Sequence, residues 1–170
     1  MAQDIVFPKF LTVDMAQRAI RHVFNLIMDP KSPLGQEITD EERRSGFHVV
    51  INTPALIDSL LGRATLFEQS EGNPRSWPYP FKDIAQCKMK QMLEGRSDGT
   101  SVSYHLLFPL DTPYWGGDTK DGLVTTCSGF TQESDHAVSA AINEKLIALA
   151  QEAWEASPEK AQGANFVFIR

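Results

Sequence analysis

The chain has 170 residues, a hydrophobic fraction of 42%, a charged fraction of 22% and a formal net charge of −6 at pH 7. This length fits one domain, and the apolar content is enough to form a buried core. The acidic balance argues against a nucleic-acid partner and against electrostatic docking to anionic lipid, because both need a basic surface.

Several features of the sequence predict a cytoplasmic protein without a membrane partner. No apolar run approaches the roughly 18 residues that a membrane span requires, and the N-terminus does not have the pattern of a signal peptide. Cys87 and Cys127 form no Cys-x-x-Cys motif and have no histidine nearby at metal spacing. We therefore expect two free thiols in a reducing compartment and no metal site.

The N-terminal part of the chain predicts a helix, a loop and a strand. Residues 11–29 carry apolar side chains at helical spacing, and Thr12 is a suitable N-cap. A polar, proline-containing loop follows, which can end in one helical turn, and then residues 47–52, FHVVIN, predict a strand. Residues 53–67 are ambiguous, because their Thr-Pro start is typical of a helix whereas their later part also fits a strand.

The remaining elements alternate between helices, strands and loops, without an internal repeat. They are a loop at 68–80, a helix at 80–96, a strand at 100–110, a loop at 111–122, a strand at 123–129, a helix at 131–156 and a strand or tail at 164–170. This order predicts an α+β fold, in which helices flank a mainly antiparallel sheet.

Two charged residues fall on the apolar faces of predicted helices. Lys88 lies inside the arc that Phe81, Ala85 and Met89 form, where a lysine must reach the edge, pair with an acid or meet a ligand. Asp135 lies one turn before Val138 on the core stripe of the last helix. Its position also fits plain helix capping, so both readings stay open.

A second stripe on the last helix predicts self-association. His136, Ala140, Ile147 and Trp154 share a side of this helix away from its core stripe. Apolar area of this kind is typical of an interface between subunits or of an additional core contact. We expect a homo-oligomer, a dimer or larger.

Residues 121–138, DGLVTTCSGFTQESDHAV, resemble the signature of the heme-degrading-domain family, in which Asp-Gly, a strand, Ser-Gly and an acidic helix start follow a glycine-rich loop. A second family motif, Ile-Ala-x-x-Lys, is matched by IAQCK, which ends at Lys88. The resemblance covers roughly residues 10–157 of a single domain over 1–170, and 158–170 look like a C-terminal extension. The family's Asp-Ala-Gly-Gly hairpin turn is missing. The signature positions are Gly116, Gly117, Asp121, Gly122, Ser128, Gly129, Glu133 and Asp135.

The resemblance implies a profilin-like α/β sandwich that forms symmetric oligomers and has a ligand cleft near the strand-to-helix turn. The best-known relatives bind heme, so heme is a candidate cofactor, with His48, Tyr104 and His105 as available iron ligands. The expected ligand-binding residues are Tyr114, Trp115, Gly116, Gly117, Ser128, Gly129, Glu133 and His105.

Three functions follow from these patterns. The first is a small-molecule-binding oligomer whose ligand is heme or a small organic metabolite. The second is a cofactor-free enzyme, in which Lys88 and Asp135 serve as the catalytic acid/base pair for a small acidic or aromatic metabolite. Its pocket would be walled by the loop aromatics Trp77, Tyr79, Tyr114 and Trp115. The third is a structural module that only forms oligomers.

Overall fold

The computed structural model describes residues 7–55, 57–58, 62–63 and 65–169. The helices are α1 (Val13–Met28), α2 (Pro33–Gln36), α3 (Asp40–Ser45), α4 (Phe81–Leu93), α5 (Gln132–Glu155) and α6 (Pro158–Gln162). The strands are β1 (Gly46–Asn52), β2 (Ile57–Asp58), β3 (Gly62–Arg63), β4 (Phe67–Gly72), β5 (Gly117–Lys120) and β6 (Leu123–Ser128).

The main sheet has four strands in the order β4-β1-β6-β5, and every neighbouring pair is antiparallel. In its central row, His48 of β1 pairs with Ser70 of β4 on one side and with Ser128 of β6 on the other. The short strands β2 and β3 form a separate antiparallel pair. The predicted α+β sandwich with a mainly antiparallel sheet is therefore confirmed.

Helices cover both faces of this sheet. Successive residues of a strand point to opposite faces, so Val49 and Ile51 of β1 pack towards α1 and α5, whereas Val50 packs towards α4. The larger apolar cluster joins α1 and α5 to the sheet, and the smaller cluster joins α4 to the sheet. The buried residues of the smaller cluster are Val50, Ala85, Met89, Met92 and Val124.

The three long helices begin where their capping residues predict. Thr12 Oγ1 accepts a hydrogen bond from the Met15 amide at the start of α1. Thr131 Oγ1 accepts from the Ser134 amide at the start of α5, and α4 follows directly after Pro80. Such caps satisfy amides that have no partner inside the helix. The short helix α3 is the helical turn predicted at the end of the polar loop.

The strand predicted at 100–110 is wrong. Tyr104–Leu106 form a 3-10 turn, and the segment makes only the isolated bridge between Ser97 and Val102. Arg96 holds this loop, because its guanidinium donates to the Asp111 carboxylate and to the Leu106 carbonyl. These side-chain bonds take the place of a strand partner, and Pro109 removes a ladder donor.

Two strands lie where loops were predicted. β4 occupies the start of the 68–80 loop, and β5 lies inside the 111–122 loop. Both are edge strands in the sheet order, and their sequences, FEQSEG and GDTK, are largely polar. Edge strands often carry polar residues, which weakens the apolar alternation that marks a strand.

The ambiguous region 53–67 contains no helix among its described residues. Strands β2 and β3 lie within it, and β4 begins at its end. Positions 56, 59–61 and 64 lie outside the described residues. Of the two alternatives, the strand in the later part of the region agrees with β3 and with the first residue of β4.

The C-terminal extension packs against the N-terminal segment. Helix α6 was not predicted, and residues 164–169 form no strand. Glu159 of α6 is 1% exposed and forms an ion pair with Lys9, and its carboxylate also accepts from the Phe168 amide. None of the described helices has both the length and the apolar character needed to cross a membrane.

Candidate functional site

Lys88 and Asp135 form a buried ion pair. Lys88 Nζ lies 2.9 Å from Asp135 Oδ2, and it also donates to the Cys127 carbonyl at 2.7 Å. Lys88 is 4% exposed and Asp135 is 2% exposed. Both charges predicted from helical spacing therefore meet, at the end of β6 where α4 and the N-terminus of α5 approach each other.

Gly116 makes room for this pair. Its φ is +133°, and a Cβ atom at this position would lie 2.5 Å from Asp135 Cβ and 3.0 Å from Lys88 Nζ. The Gly116 carbonyl accepts a hydrogen bond from the Cys127 amide, which fixes the glycine beside β6. A side chain at position 116 would therefore force the two charged residues apart.

The environment of Asp135 keeps its charge poorly solvated. Burial raises the pKa of Asp135 to about 7, against the opposing effect of the Lys88 charge and its hydrogen bond. The second oxygen, Oδ1, accepts a hydrogen bond from the Phe130 amide at 3.0 Å. Both carboxylate oxygens are thus engaged with protein donors.

A pocket of about 240 Å³ opens beside the pair. Tyr79 and Tyr114 are more than half exposed and lie at its mouth, whereas Phe81 is buried. The inner end is polar, because both charged side chains reach it. The lining residues are Tyr79, Phe81, Ile84, Lys88, Tyr114, Ser128, Phe130, Gln132 and Asp135.

Three side chains deep in the lining keep a free hydrogen-bond donor, namely Lys88, Ser128 and Gln132. Among the described residues, the Ser128 hydroxyl has no hydrogen-bond partner, and the Gln132 amide nitrogen has no acceptor. The Gln132 amide oxygen accepts a hydrogen bond from the Trp115 backbone amide at 2.9 Å. An ammonium group has three protons, and Lys88 gives two of them to Cys127 and Asp135. The third is available to a ligand.

Of the expected ligand-binding residues, the structure brings three to this site. Tyr114 and Ser128 line the pocket, and Gly116 contacts the ion pair. Trp115 lies next to it through its amide bond to Gln132.

The other four lie away from the pocket lining. Gly117 packs against Met92 at the start of β5, and Gly129 packs against Phe47. Glu133 is exposed on the first turn of α5, and His105 is exposed in the 3-10 turn. The signature residues of this sequence therefore lie near the pocket, but only some of them line it or contact the ion pair.

Several lining residues were missed, although a signal for two of them was present. Phe81 and Ile84 precede Lys88 by two turns and by one turn of α4, so they share its helical face. Phe130 and Gln132 had no signal, because their place at the pocket depends on the turn between β6 and α5.

Two of the four loop aromatics, Tyr79 and Tyr114, line the pocket. Trp77 contacts a lining residue instead, because its ring packs 5.3 Å from that of Phe81, and its indole nitrogen donates to the Ser45 carbonyl at 2.6 Å.

The second stripe of α5 is half-buried within a single chain. His136 Nδ1 lies 2.6 Å from the Gly117 carbonyl oxygen, and the Trp154 ring packs edge-on against Phe10 at 5.7 Å. Ile147 packs against the larger core cluster. The stripe therefore has contacts inside the chain, and its apolar area does not require a second subunit.

The three residues expected as iron ligands do not fit a heme site at this pocket. His48 is 3% exposed and its ring nitrogens contact Ser70 and Glu68, whereas Tyr104 and His105 are exposed in the 3-10 turn. None of them lines the pocket. The volume of this pocket also lies below the roughly 300–1,000 Å³ that is usual for pockets that bind drug-sized ligands.

Comparison with family models, with curated proteins and with solved structures found no match to this chain. The relation to the heme-degrading-domain family therefore stays a prediction that rests on the motif order. What the chain can bind follows from the geometry of the pocket.

Proposed function

We propose that the protein binds a small organic molecule in the pocket between α4 and the start of α5, with Lys88 as the anchoring donor. The observation that carries this proposal is a lysine only 4% exposed that lines an aromatic pocket and keeps one proton free. A lysine is almost never fully buried unless its charge is paired.

Stability alone is a poor explanation for the pair. Burying two charges costs solvation, and well-packed apolar residues often replace such a pair without loss of stability. Here the pair also lies beside an open, aromatic-lined cavity, where a charged donor is useful. Perturbed ionisable groups in a pocket are typical of functional sites.

The size of the pocket favours a small metabolite over heme. A cavity of roughly 150 Å³ can hold a benzene ring, so 240 Å³ has room for one ring with a polar group. The ligand of the predicted relatives would need a larger cavity and an iron ligand such as histidine. We therefore favour the organic-metabolite form of the predicted binding function.

A second function, acid/base catalysis without a cofactor, is favoured by the contact of Lys88 with Asp135 in the lining of the pocket. Burial also raises the pKa of Asp135 to about 7, which suits proton transfer near neutral pH. Lys88 would hold a substrate oxygen while Asp135 takes or returns a proton. Turnover that is lost in Asp135→Asn, with binding retained, would separate this function from simple binding.

Assembly and location remain proposals on separate grounds. A dimer or larger is implied by the family resemblance, and light scattering would test it, since a 19.0 kDa monomer would contradict it. A reducing, cytoplasmic location is proposed because both cysteines are free thiols.

Protein-observed NMR with a panel of one-ring aromatic fragments tests the binding function. We expect at least one fragment to shift the amides around Ser128, Phe130 and Gln132 saturably, and Lys88→Met to weaken this binding. Lys90→Met, an exposed lysine on the same helix, is the matched control. A panel that shifts none of these amides would contradict the proposal.

A further inference from the structure

We infer that the pocket selects a small carboxylate with a flat apolar body, and that one proton is taken up when this ligand binds. The inference rests on the proposed binding function and narrows it to a ligand class. Its two parts, the selection of an anion and the proton, follow from different features of the site.

The hydrogen-bonding groups of the pocket favour a ligand that has several acceptor atoms. Both Asp135 oxygens are engaged, by Lys88 and by the Phe130 amide. Apart from the tyrosine hydroxyls at the mouth, the free groups can all donate, namely the third Lys88 proton, the Ser128 hydroxyl and the Gln132 amide nitrogen, and only the Ser128 hydroxyl can also accept. A carboxylate offers two acceptor oxygens to such a set, and a bond from an ammonium to a carboxylate is stronger than one to a neutral group.

The walls of the pocket call for a flat apolar body on the same ligand. Phe81 and Phe130 supply rings, Ile84 supplies an aliphatic surface, and Tyr79 and Tyr114 add rings at the mouth. Aromatic pairs favour stacked or edge-to-face contacts, so a planar ligand gains more here than a branched one. An aromatic or unsaturated monocarboxylate has both required parts.

The charges of the pocket explain the proton. Lys88 and Asp135 together are neutral when both are ionised, so a bound carboxylate would add an uncompensated negative charge to a buried site. Protonation of Asp135 removes that charge and leaves Lys88 paired with the ligand. Because the pKa of Asp135 is already raised by burial, this group gains the proton most readily.

The other ionisable groups near Asp135 are not suited to take up this proton. Cys127 of β6 faces it as a thiol, since burial raises the pKa of that thiol well above its usual value. Glu133, on the first turn of α5, is exposed, and His136 of the same turn contacts the Gly117 carbonyl instead of the pocket. Tyr79 and Tyr114, on the facing segments, lie exposed at the mouth of the pocket.

Calorimetric titration with benzoate, in two buffers of different ionisation enthalpy, tests the inference on the full chain. At pH 8 we expect uptake of close to one proton per benzoate, and at pH 5.5 close to none. Above about pH 7 the affinity should fall by about tenfold per pH unit, because each binding event must then take a proton from solution. Benzyl alcohol, the uncharged counterpart, should bind more weakly and without proton uptake.

Variants assign the effect to the two side chains. Asp135→Asn should bind benzoate without proton uptake and with a flat pH profile, because the neutral amide leaves Lys88 free for the ligand. Lys88→Met should lose about tenfold or more in benzoate affinity, and Lys90→Met should match the wild type. Circular dichroism of each variant confirms that the fold is retained.

The possible results separate this inference from the proposed function. Benzoate binding with proton uptake that depends on Asp135 supports the inference. Saturable binding of benzyl alcohol or toluene in the pocket, without benzoate binding, overturns the ligand class while the binding function stands. Benzoate binding without proton uptake at pH 8 overturns the coupling, and failure of the whole fragment panel overturns the binding function itself.

Discussion

Lys88 of α4 and Asp135 of α5 approach to 2.9 Å between Nζ and Oδ2, although their helices pack on opposite faces of the sheet. They meet at the end of β6, where the Cys127 carbonyl accepts a second bond from the lysine. The pair therefore ties both helix layers to the sheet at the point where the pocket opens.

Removal of the lysine should destabilise the fold. Lys88→Met leaves Asp135 buried without a cation, and breaking a buried pair in this way costs about 3–5 kcal/mol. Urea unfolding at pH 7 measures this loss. Lys90→Met, on the exposed side of the same helix, should change the free energy of unfolding by less than about 0.5 kcal/mol. Equal effects of the two variants would contradict the burial of Lys88.

The pH dependence of stability should carry the signature of Asp135. Its pKa rises from 3.8 to about 7 on folding, so the folded state holds the extra proton between these values. Stability from this group is thus fully present below about pH 4 and is lost as the pH rises towards 7. Unfolding at pH 5 and 7.5 should show wild type losing stability relative to Asp135→Asn. Parallel profiles would mean that Asp135 stays ionised throughout.

Carboxylates whose pKa values are lowered on folding change the free energy of unfolding in the opposite direction to Asp135, and they do so at more acidic pH. Hydrogen bonds from Arg96 lower the pKa of Asp111, and those from the Thr100 amide lower that of Asp98. Their contribution is present above their unfolded pKa values and is lost as the pH falls through the folded ones. Comparison with Asp135→Asn, which shares these groups, isolates the effect of Asp135.

Gly116→Ala should damage the site more than an alanine at another strained glycine. Both Gly116 and Gly122 have positive φ values, +133° and +81°, but only Gly116 has neighbours that a Cβ would strike. Gly122→Ala should therefore cost about 1–2 kcal/mol from the backbone alone. Gly116→Ala should cost about 1–3 kcal/mol more from overpacking, measured by thermal unfolding. An equal loss in both variants would contradict the close approach to Lys88 and Asp135.

Hemin should give no saturable Soret shift with this protein. The pocket has no histidine, cysteine or methionine in its lining, and its volume of about 240 Å³ is small for a porphyrin. Absorbance titration measures this directly. A saturable shift that disappears in Tyr79→Phe or Tyr114→Phe, the two lining residues able to bind iron, would show that heme does enter the pocket.

The two central charges could be predicted because helical spacing carries that information. A residue four or seven positions from buried apolar neighbours shares their face, so this spacing predicts that Lys88 and Asp135 point towards the core. Their meeting could not be derived from spacing, since it depends on how α4 and α5 end at β6. Both residues also fall on positions of the motifs that the sequence resembles, and in the structure they are neighbours.

The side-chain pattern gives the wrong secondary structure where tertiary contacts determine the conformation of a segment. Residues 100–110 contain alternating apolar side chains, yet Arg96 bonds to Asp111 and holds the segment as a loop. Conversely, β4 and β5 are edge strands whose polar sequences gave no alternation signal. Phe130 reaches the pocket only through the turn after β6, which no short pattern encodes.

A high-resolution crystal structure with bound benzoate tests the central claim most directly, since it shows both the ion pair and the ligand. We predict the carboxylate within hydrogen-bond distance of Lys88 Nζ, its ring between Phe81 and Phe130, and the Lys88–Asp135 contact retained. Benzoate density elsewhere on the surface, or Lys88 and Asp135 separated beyond hydrogen-bond reach, would contradict the assignment of this pocket as the binding site.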